Sequence, residues 1–226
     1  LRNDELETIG GGVRRTGEPV MADVTYDSTI STHYKRFINF FLYPAGIRSF
    51  VNREVSMRSG FKVLDAGCGF GILSRAVHDK AAHAKIADVE QHAFDISPHM
   101  LQEFRRQCRF PVDVQKLDVR ALPYPDEYFD LVLTAAMLEY VPDIEEGLAS
   151  LKRVLRTDGR LFVFMSRDTF LNKFLFKPFG DPTCYSPTEL ERLLRNAGFA
   201  VEKRAKFPVP YFWLNMWGYV LKAKKE

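Results

Sequence analysis

The sequence is poor in the features that mark several classes of protein. It contains three cysteines in 226 residues, Cys68, Cys108 and Cys184, and none of their spacings resembles a metal knuckle. An odd number of cysteines without a pattern is typical of reduced thiols, and a chain of this length buries enough surface to fold without disulfides. We therefore expect a cytoplasmic protein with no bound metal.

Long apolar runs and strong charge are also missing. No run approaches the roughly 20 residues that cross a bilayer, and the start of the chain lacks the charged-then-apolar order of a signal peptide. The net charge is +3, part of it in a short basic tail, Lys222 to Lys225. Because no basic patch is interleaved with aromatic residues, we expect no nucleic-acid partner.

What the chain does contain fits one globular α/β domain. Apolar residues make up 46% and charged residues 27%, as in an ordinary soluble protein. Residues 1–25 contain a glycine run and show no periodicity, which predicts loop. Residues 28–58 have apolar side chains at helical spacing, with an interruption predicted at Pro44 and Gly46.

Strand-like and helix-like segments alternate from residue 61 onwards. The predicted strands are Phe61–Ala66, His92–Ile96, Val112–Leu117, Tyr128–Ala135 and Arg160–Ser166, and the helices between them are Ile72–Ala81, Pro98–Cys108 and Ile144–Leu155. This alternation implies βαβ units and a parallel sheet. After a helix at Pro187–Ala197, two extended stretches, Phe199–Phe207 and Phe212–Ala223, predict a hairpin and therefore an antiparallel strand at the sheet edge.

A glycine-rich loop carries the most information about function. Gly67, Gly69 and Gly71 alternate between a buried strand and the start of a helix. Glycine lets the backbone approach a ligand closely, and the helix start offers unpaired N–H groups. The order Gly-x-Gly-x-Gly differs from the Gly-x-Gly-x-x-Gly that binds pyrophosphate. Asp65 just before it would repel a pyrophosphate and suits a ligand with an ammonium group.

Four segments in order resemble the motifs of the class I S-adenosylmethionine-dependent methyltransferases, in particular the small-molecule group that includes ubiquinone and sterol methyltransferases. They are Val63–Gly71, Phe94–Leu101, Leu117–Val132 and Leu155–Leu161. The resemblance covers residues 61–198. It implies a Rossmann-like, doubly wound, seven-stranded and mostly parallel sheet, with S-adenosyl-L-methionine as cofactor. Residues 59–226 would form the cofactor-binding domain, and residues 1–58 an extension whose helices cap the active site.

The resemblance also implies roles for particular residues. Asp95 would accept hydrogen bonds from both ribose hydroxyls, Asp118 would accept from the adenine amino group, and the Val119 backbone N–H would meet a ring nitrogen. Ala135 would offer its backbone to the methionine moiety. The implied cofactor-binding residues are Asp65, Gly67, Gly69, Gly71, Asp95, Ile96, Asp118, Val119 and Ala135.

The ribose ligand has two alternatives in the sequence. Asp95 follows Asp65 by 30 residues (95 − 65), more than the roughly 20 typical of Rossmann-like units, and Asp88 and Glu90 lie nearer that distance. Asp95 is preferred because a capping serine and a helix-starting proline follow it. The residues 82–91 would then form a surface loop.

The acceptor side is less specific. Many aromatic residues lie in the segments that form the acceptor pocket in the resembled family, which favours an apolar or aromatic acceptor. The candidate substrate-binding residues are Tyr26, Tyr34, Phe174 and Tyr185. The basic and apolar stretch Phe170–Lys177 is interpreted as a lid or as a peripheral membrane contact. Where many relatives carry histidine after strand four, this chain has Leu138–Tyr140.

Candidate catalytic residues and functions remain open at this level. Glu139, Tyr140 and His33 are the candidates for orienting or deprotonating the acceptor, although Glu139 would equally suit a surface ion pair. The favoured function is methyl transfer to an oxygen, nitrogen or carbon atom of a small molecule. The alternatives are a non-catalytic regulatory protein that binds S-adenosylmethionine or S-adenosylhomocysteine, and a methyltransferase acting on protein or RNA. A nicotinamide-dependent oxidoreductase is disfavoured by the glycine order.

Overall fold

The computed structural model describes residues 8–9, 12–13, 39, 42–169, 172 and 182–226. Its strands are β1 (Thr8–Ile9), β2 (Gly12–Val13), β3 (Lys62–Ala66), β4 (Glu90–Asp95), β5 (Asp113–Lys116), β6 (Phe129–Ala135), β7 (Leu155–Ser166), β8 (Phe199–Ala205) and β9 (Gly218–Lys225). Its α-helices are α1 (Tyr43–Glu54), α2 (Ile72–His83), α3 (Pro98–Gln107), α4 (Ile144–Val154), α5 (Pro187–Asn196) and α6 (Leu214–Trp217), and single 3-10 turns cover Val119–Ala121 and Leu138–Tyr140.

Within the described residues, seven strands form one sheet in the order β5-β4-β3-β6-β7-β9-β8. Strands β3 to β7 pair in parallel, and β9 runs antiparallel to both of its neighbours. The predicted, mostly parallel α/β sheet with an antiparallel C-terminal strand is confirmed, and that strand, β9, lies one position inside the edge, between β7 and β8. The strand order reverses at β3, so the carboxyl ends of β3, β4 and β6 meet at the kind of crevice where open α/β sheets bind ligands.

The core lies on both faces of the central strands. Along β6, Leu131 and Leu133 pack on one face with α1 and α2, while Phe129 and Val132 pack on the other with α4 and α5. This strand is buried on both sides, which explains why its sequence is an almost continuous apolar run. Phe129 belongs to this core, since its side chain is fully buried.

Side-chain caps fix where the helices begin. Ser97 accepts a hydrogen bond from the Met100 N–H at 3.3 Å, and Asp143 accepts one from the Glu146 N–H at 3.0 Å. Each cap satisfies a backbone donor that has no partner inside the helix. The capping serine predicted after Asp95 is therefore confirmed as Ser97.

The predicted interruption at Pro44 and Gly46 is wrong, because α1 begins at Tyr43 and contains both residues. Pro44 lies in the first turn, where its missing N–H removes no helical hydrogen bond. Gly46 gives room to Leu214, since a β-carbon at position 46 would lie 2.2 Å from Leu214 Cδ1 and would force that side chain to move. The helix predicted before residue 42 lies outside the described residues, apart from Asn39.

Four other parts of the chain differ from prediction. The segment 212–217 is not a strand: the side chain of Asn215 accepts the Phe207 N–H at 2.9 Å and donates to the Phe212 carbonyl at 2.8 Å, which holds a helical turn before β9. Strand β7 starts at Leu155 because that residue pairs with Phe129 across a bulge. The strands β1 and β2 pair within the segment predicted to be loop, and α2 shortens the predicted surface loop to residues 84–89.

Candidate active site

The glycine loop leaves β3 at the carboxyl edge of the sheet and enters α2. Gly67 and Gly69 both have positive φ, +72° and +49°. A β-carbon on Gly67 would lie 2.4 Å from Met137 Cγ, so the loop packs tightly against the segment that follows β6. A β-carbon on Gly69 would meet no atom within 4 Å. The loop is therefore closed on one side and open on the other, where its backbone can approach a ligand.

Asp65 lies buried beneath this loop with one oxygen unpaired. Its Oδ2 accepts hydrogen bonds from the Ser74 N–H at 2.9 Å and the Ser74 hydroxyl at 2.6 Å, whereas its Oδ1 is buried and has no partner. Burial raises the pKa of Asp65 to about 6 against the opposing effect of the Ser74 hydrogen bonds, and the charge of Asp95 raises it further. A buried acceptor without a donor costs stability.

Asp95 ends β4 and is tied to the same loop. Its Oδ2 accepts the Gly69 N–H at 2.9 Å and its Oδ1 accepts the Ser97 N–H at 2.9 Å. Burial raises the pKa of Asp95, and hydrogen bonds from the backbone of Ser97 and Gly69 oppose that rise. The carboxylate therefore has a fixed orientation at the crevice, with its remaining lone pairs available to hydroxyl groups.

The alternative ribose ligands lie elsewhere. Glu90 is the first residue of β4, about 17 Å from Asp95 at roughly 3.3 Å per residue, and its carboxylate contacts His92 and Lys62. Asp88 lies in the loop before β4 with a positive φ of 55°. Of these three acids, Asp95 is the one that contacts the glycine loop.

The third motif brings Asp118 next to Asp95. The Leu117 N–H donates to the Asp95 carbonyl at 3.3 Å, which places the end of β5 beside the end of β4. Arg120 forms a bidentate pair with Asp118, at 3.1–3.2 Å from Nε and 2.6 Å from Nη2, and lowers the pKa of that carboxyl. This ion pair was not predicted, although its sequence signal is the Asp-x-Arg spacing of residues 118–120.

The remaining predicted cofactor residues line the same edge. Ile96 is 41% exposed, an apolar side chain left uncovered directly after Asp95, and Val119 is buried behind Asp118. Ala135 ends β6 next to Phe164 of β7. The structure thus brings the predicted cofactor residues together along the carboxyl ends of β3, β4, β5 and β6.

Glu139 is a second buried carboxylate at this edge. Its side chain is 3% exposed, its Oε1 accepts the Ser166 N–H at 2.9 Å, and its Oε2 is buried without a partner. The alternative of a surface ion pair is therefore wrong. Burial raises the pKa of Glu139. Tyr43 lies within electrostatic reach: burial, then the charges of Glu139 and Asp65, raise the pKa of its phenol.

The other acceptor-side candidates are less well defined. Tyr185 is half-buried at the edge of the core, and its carbonyl accepts the Tyr219 hydroxyl at 2.8 Å. Tyr140 is half-buried in the same 3-10 turn as Glu139. Four candidates lie outside the described residues: Tyr26, His33, Tyr34 and Phe174. So does the stretch Phe170–Lys177, apart from Asn172.

The part of the chain that the structure describes contains no group of three His, Cys, Asp or Glu side chains placed to hold a metal ion. Nor does any helix in that part have the length and apolar character needed to cross a membrane.

Comparison with known proteins agrees with this geometry. Residues 64–163 match a family described as "Methyltransferase domain". The chain is 36% identical over 124 residues to a demethylmenaquinone methyltransferase of Tropheryma whipplei, covering 54% of this chain and 49% of that protein. It is 37% identical over 101 residues to a malonyl-[acyl-carrier protein] O-methyltransferase of Halorhodospira halophila, covering 43% and 32%. The chain thus spans about half or less of these relatives.

Structural comparison shows the same fold over more of the chain. A SAM-dependent methyltransferase from Aquifex aeolicus superposes with a TM-score of 0.68 and 19% identity, covering 89% of this chain and 100% of the other. At that identity the similarity concerns the fold alone. Together with the matched domain, it confirms the predicted resemblance: the chain has the fold and the motifs of the class I S-adenosylmethionine-dependent methyltransferases.

The residues at the carboxyl edge fit the cofactor that this class implies. The unpaired Oδ1 of Asp65 suits the ammonium group of S-adenosylmethionine, the open space at Gly69 admits a ligand against the backbone, and the exposed Ile96 offers an apolar face for a ring. The two relatives act on different acceptors according to their names, so similarity by itself does not choose the acceptor.

Proposed function

We propose that this protein transfers a methyl group from S-adenosylmethionine to a small apolar or aromatic acceptor. The observation that carries the proposal is the unpaired, buried oxygen of Asp65, next to the open face of Gly69 and the oriented carboxylate of Asp95. An acceptor for an ammonium group, a close backbone approach and a hydroxyl-binding acid are thereby offered along one edge of the sheet. They match the three polar parts of the cofactor.

Each part of the edge has a proposed role. Asp65 binds the ammonium group, Asp95 binds the ribose hydroxyls, and Gly67 and Gly69 line the methionine and ribose. Ile96 covers one face of the adenine. Asp118, Val119, Gly71 and Ala135 complete the proposed set.

The main task of the protein's own residues is to position the acceptor relative to the cofactor. When bound, the cofactor supplies an activated methyl group and its own leaving group. The protein's residues hold the acceptor in line and exclude water. Glu139 and Tyr140 are the proposed acceptor-orienting residues among those described, with Tyr185 lining the acceptor side. His33, Tyr26, Tyr34 and Phe174 stay proposals on residues that the structure does not describe.

The proposal also covers the cellular location of the protein and its partners. We propose a small-molecule acceptor and a cytoplasmic location, the latter supported by Cys68, Cys108 and Cys184, none of which is disulfide-bonded. A peripheral membrane contact through the stretch Phe170–Lys177 stays a proposal on sequence grounds, from its mixture of bulky apolar and basic residues.

The test is a calorimetric titration of the protein with S-adenosylhomocysteine, with NADH as the control ligand. We expect binding of S-adenosylhomocysteine and none of NADH. Asp95→Asn should weaken binding at least about tenfold, because it replaces one acceptor oxygen by an N–H₂ group and so removes one charge-assisted hydrogen bond, at roughly 1.5–3 kcal/mol. Glu90→Gln is the matched control at the other end of β4 and should leave the affinity unchanged.

The opposite results are equally clear. A wild-type protein that does not bind S-adenosylhomocysteine would contradict the proposed function. An equal loss of affinity in Glu90→Gln and Asp95→Asn would contradict the assignment of the ribose site.

A further inference from the structure

The connection between β8 and β9, residues 206–217, carries apolar side chains that project into solvent. Among the described residues, the large apolar side chains that are exposed are Leu42, Ile96, Val209, Phe212 and Met216. Three of them belong to this connection, where Val209 is 82%, Phe212 62% and Met216 72% exposed. Clustered exposure of this kind is typical of an interaction surface.

A helical turn fixes the direction of two of these side chains. Leu214 is buried and packs against Gly46, so its side of the turn faces α1. Phe212 and Met216 lie two residues before and two residues after Leu214. Because successive helical residues are rotated by about 100°, both point to the side opposite Leu214. Asn215 holds the turn through side-chain hydrogen bonds to the backbone at 2.8 and 2.9 Å, so the exposure is built into the fold.

Positive charge accompanies the apolar side chains. Lys206 at the start of the connection is exposed. Arg53 donates to the Lys206 carbonyl, and Arg167 donates to the Asn215 carbonyl at 2.8 Å, so two further cations lie beside the connection. Residues 203–225 contain no acidic side chain and the basic residues Lys203, Arg204, Lys206, Lys222, Lys224 and Lys225. Exposed apolar side chains with basic neighbours suit a bilayer surface that contains anionic lipid.

The connection lies at the carboxyl edge of the sheet. Gly218, the first residue of β9, pairs with Ser166, the last residue of β7. The connection therefore ends at the same edge as the glycine loop. Tyr211, Trp213 and Trp217 are half-buried in it, and tyrosine and tryptophan are the side chains enriched where a membrane meets water.

We infer that residues 206–217 bind the protein to a bilayer surface containing anionic lipid, with Val209, Phe212 and Met216 inserted among the headgroups and Lys206 facing the phosphates. This contact is separate from the stretch Phe170–Lys177 and does not depend on the proposed methyl transfer. A bilayer fits these residues better than a protein partner, since a standard protein interface takes roughly 20–30 residues from each side.

The test uses the two tryptophans of the chain, which both lie in this connection and therefore report on it by their fluorescence. The full chain without cofactor is titrated with vesicles of phosphatidylcholine and with vesicles of phosphatidylcholine mixed with phosphatidylglycerol. We expect the emission to shift to shorter wavelength. The partition coefficient should be at least about tenfold higher on the mixed vesicles, because each Lys or Arg near an anionic surface strengthens binding.

Variants separate the apolar contribution from the charge. Phe212→Ser combined with Met216→Ser keeps both tryptophans and should lower the partition coefficient at least about tenfold, since two apolar side chains no longer leave water. Its urea unfolding transition should match wild type because both side chains are exposed. Lys206→Gln should lower binding to the mixed vesicles about threefold to fivefold. Lys85→Gln, the matched change of an exposed lysine at the amino end of β4, should leave it unchanged.

Three results would overturn the inference. The first is no emission shift with either kind of vesicle, and the second is equal binding to both kinds. The third is full binding by the folded double variant, which would point to Phe170–Lys177 as the membrane contact instead.

A second copy of the chain as the occupant would give a different result. The emission would then shift with protein concentration in the absence of vesicles, the mass in solution would double, and the double variant would lose both effects; this too would overturn the inference. Calorimetry with S-adenosylhomocysteine tests the proposed function independently, because the vesicle titration contains no cofactor.

Discussion

The two ends of the parallel strands treat their carboxylates in opposite ways. At the amino end, Asp130 accepts the Lys62 N–H at 2.9 Å and pairs with Arg58 and Arg156, both at 3.0 Å. At the carboxyl end, Asp65 and Glu139 are more deeply buried, and each keeps one oxygen without a partner.

The pKa directions follow the same division. Hydrogen bonds from Tyr128 and His92, together with Lys62, lower the pKa of Glu90 at the amino end to about 2. Burial raises the pKa of Asp65 to about 6 and also raises that of Glu139 at the carboxyl end. A carboxylate whose oxygens are hydrogen-bonded or ion-paired stabilises the fold. A buried carboxylate with an unpaired oxygen costs stability and is available to a ligand. The amino ends of the strands therefore carry acids that stabilise the sheet, and the carboxyl ends carry acids suited to binding a ligand.

The largest expected effect is at Asp65, where removing the acid should raise the free energy of unfolding and not lower it. Its folded pKa lies above its ordinary value of 3.8, so the folded protein takes up a proton between about pH 4 and 6 that the unfolded chain does not. Wild-type stability without ligand therefore falls as the pH rises through that window. Asp65→Asn removes this cost and should raise the free energy of unfolding at pH 7.5 by up to about 3 kcal/mol, at about 1.36 kcal/mol per pKa unit.

Urea denaturation at pH 4.5 and pH 7.5 measures this effect. The same variant should bind S-adenosylhomocysteine at least about tenfold more weakly, since an amide is a poorer partner for an ammonium group. A variant that is less stable than wild type at pH 7.5 would show that Asp65 stabilises the fold in the way that amino-end acids do.

The matched change at the amino end should act in the other direction. Asp130→Asn weakens the links to Arg58 and Arg156 while keeping the side-chain shape, and we expect a loss of about 1–3 kcal/mol in the free energy of unfolding. Affinity for S-adenosylhomocysteine should not change. A fall in affinity comparable to that of Asp65→Asn would break the division between the two ends.

The smallest expected effect concerns Glu90. Because its folded pKa is lowered, its contribution to stability is present above its ordinary pKa near 4.5 and is lost as the pH falls towards 2. Glu90→Gln should therefore make the acid unfolding curve shallower between pH 4.5 and 2, with a loss below about 1 kcal/mol at neutral pH because the side chain is partly exposed. Circular dichroism during acid titration measures it; an unchanged acid curve would contradict it.

Much of the binding end could be predicted from local sequence. Parallel strands, the capping residues Ser97 and Asp143, and the glycine loop depend on neighbours within a few positions, so their patterns are visible in the chain. The placement of Asp95 also followed from the serine and proline behind it.

The features that could not be predicted depend on contacts between residues distant in sequence or on the hydrogen bonds of one side chain. The burial of Glu139 results from Ser166, 27 residues later, and from Thr183, and no local pattern distinguishes it from a surface acid. The helix Leu214–Trp217 replaces a predicted strand because Asn215 turns back onto Phe207. Roles on residues 14–38 and 173–181 stay predictions.

Hydrogen–deuterium exchange with and without S-adenosylhomocysteine tests the division between the two ends most directly. We expect slower exchange in the carboxyl-end segments 67–71, 95–97 and 117–120, and unchanged exchange in the amino-end segments 58–62 and 124–130. Protection centred on the amino end, or none at the carboxyl end under conditions in which the ligand binds, would contradict it.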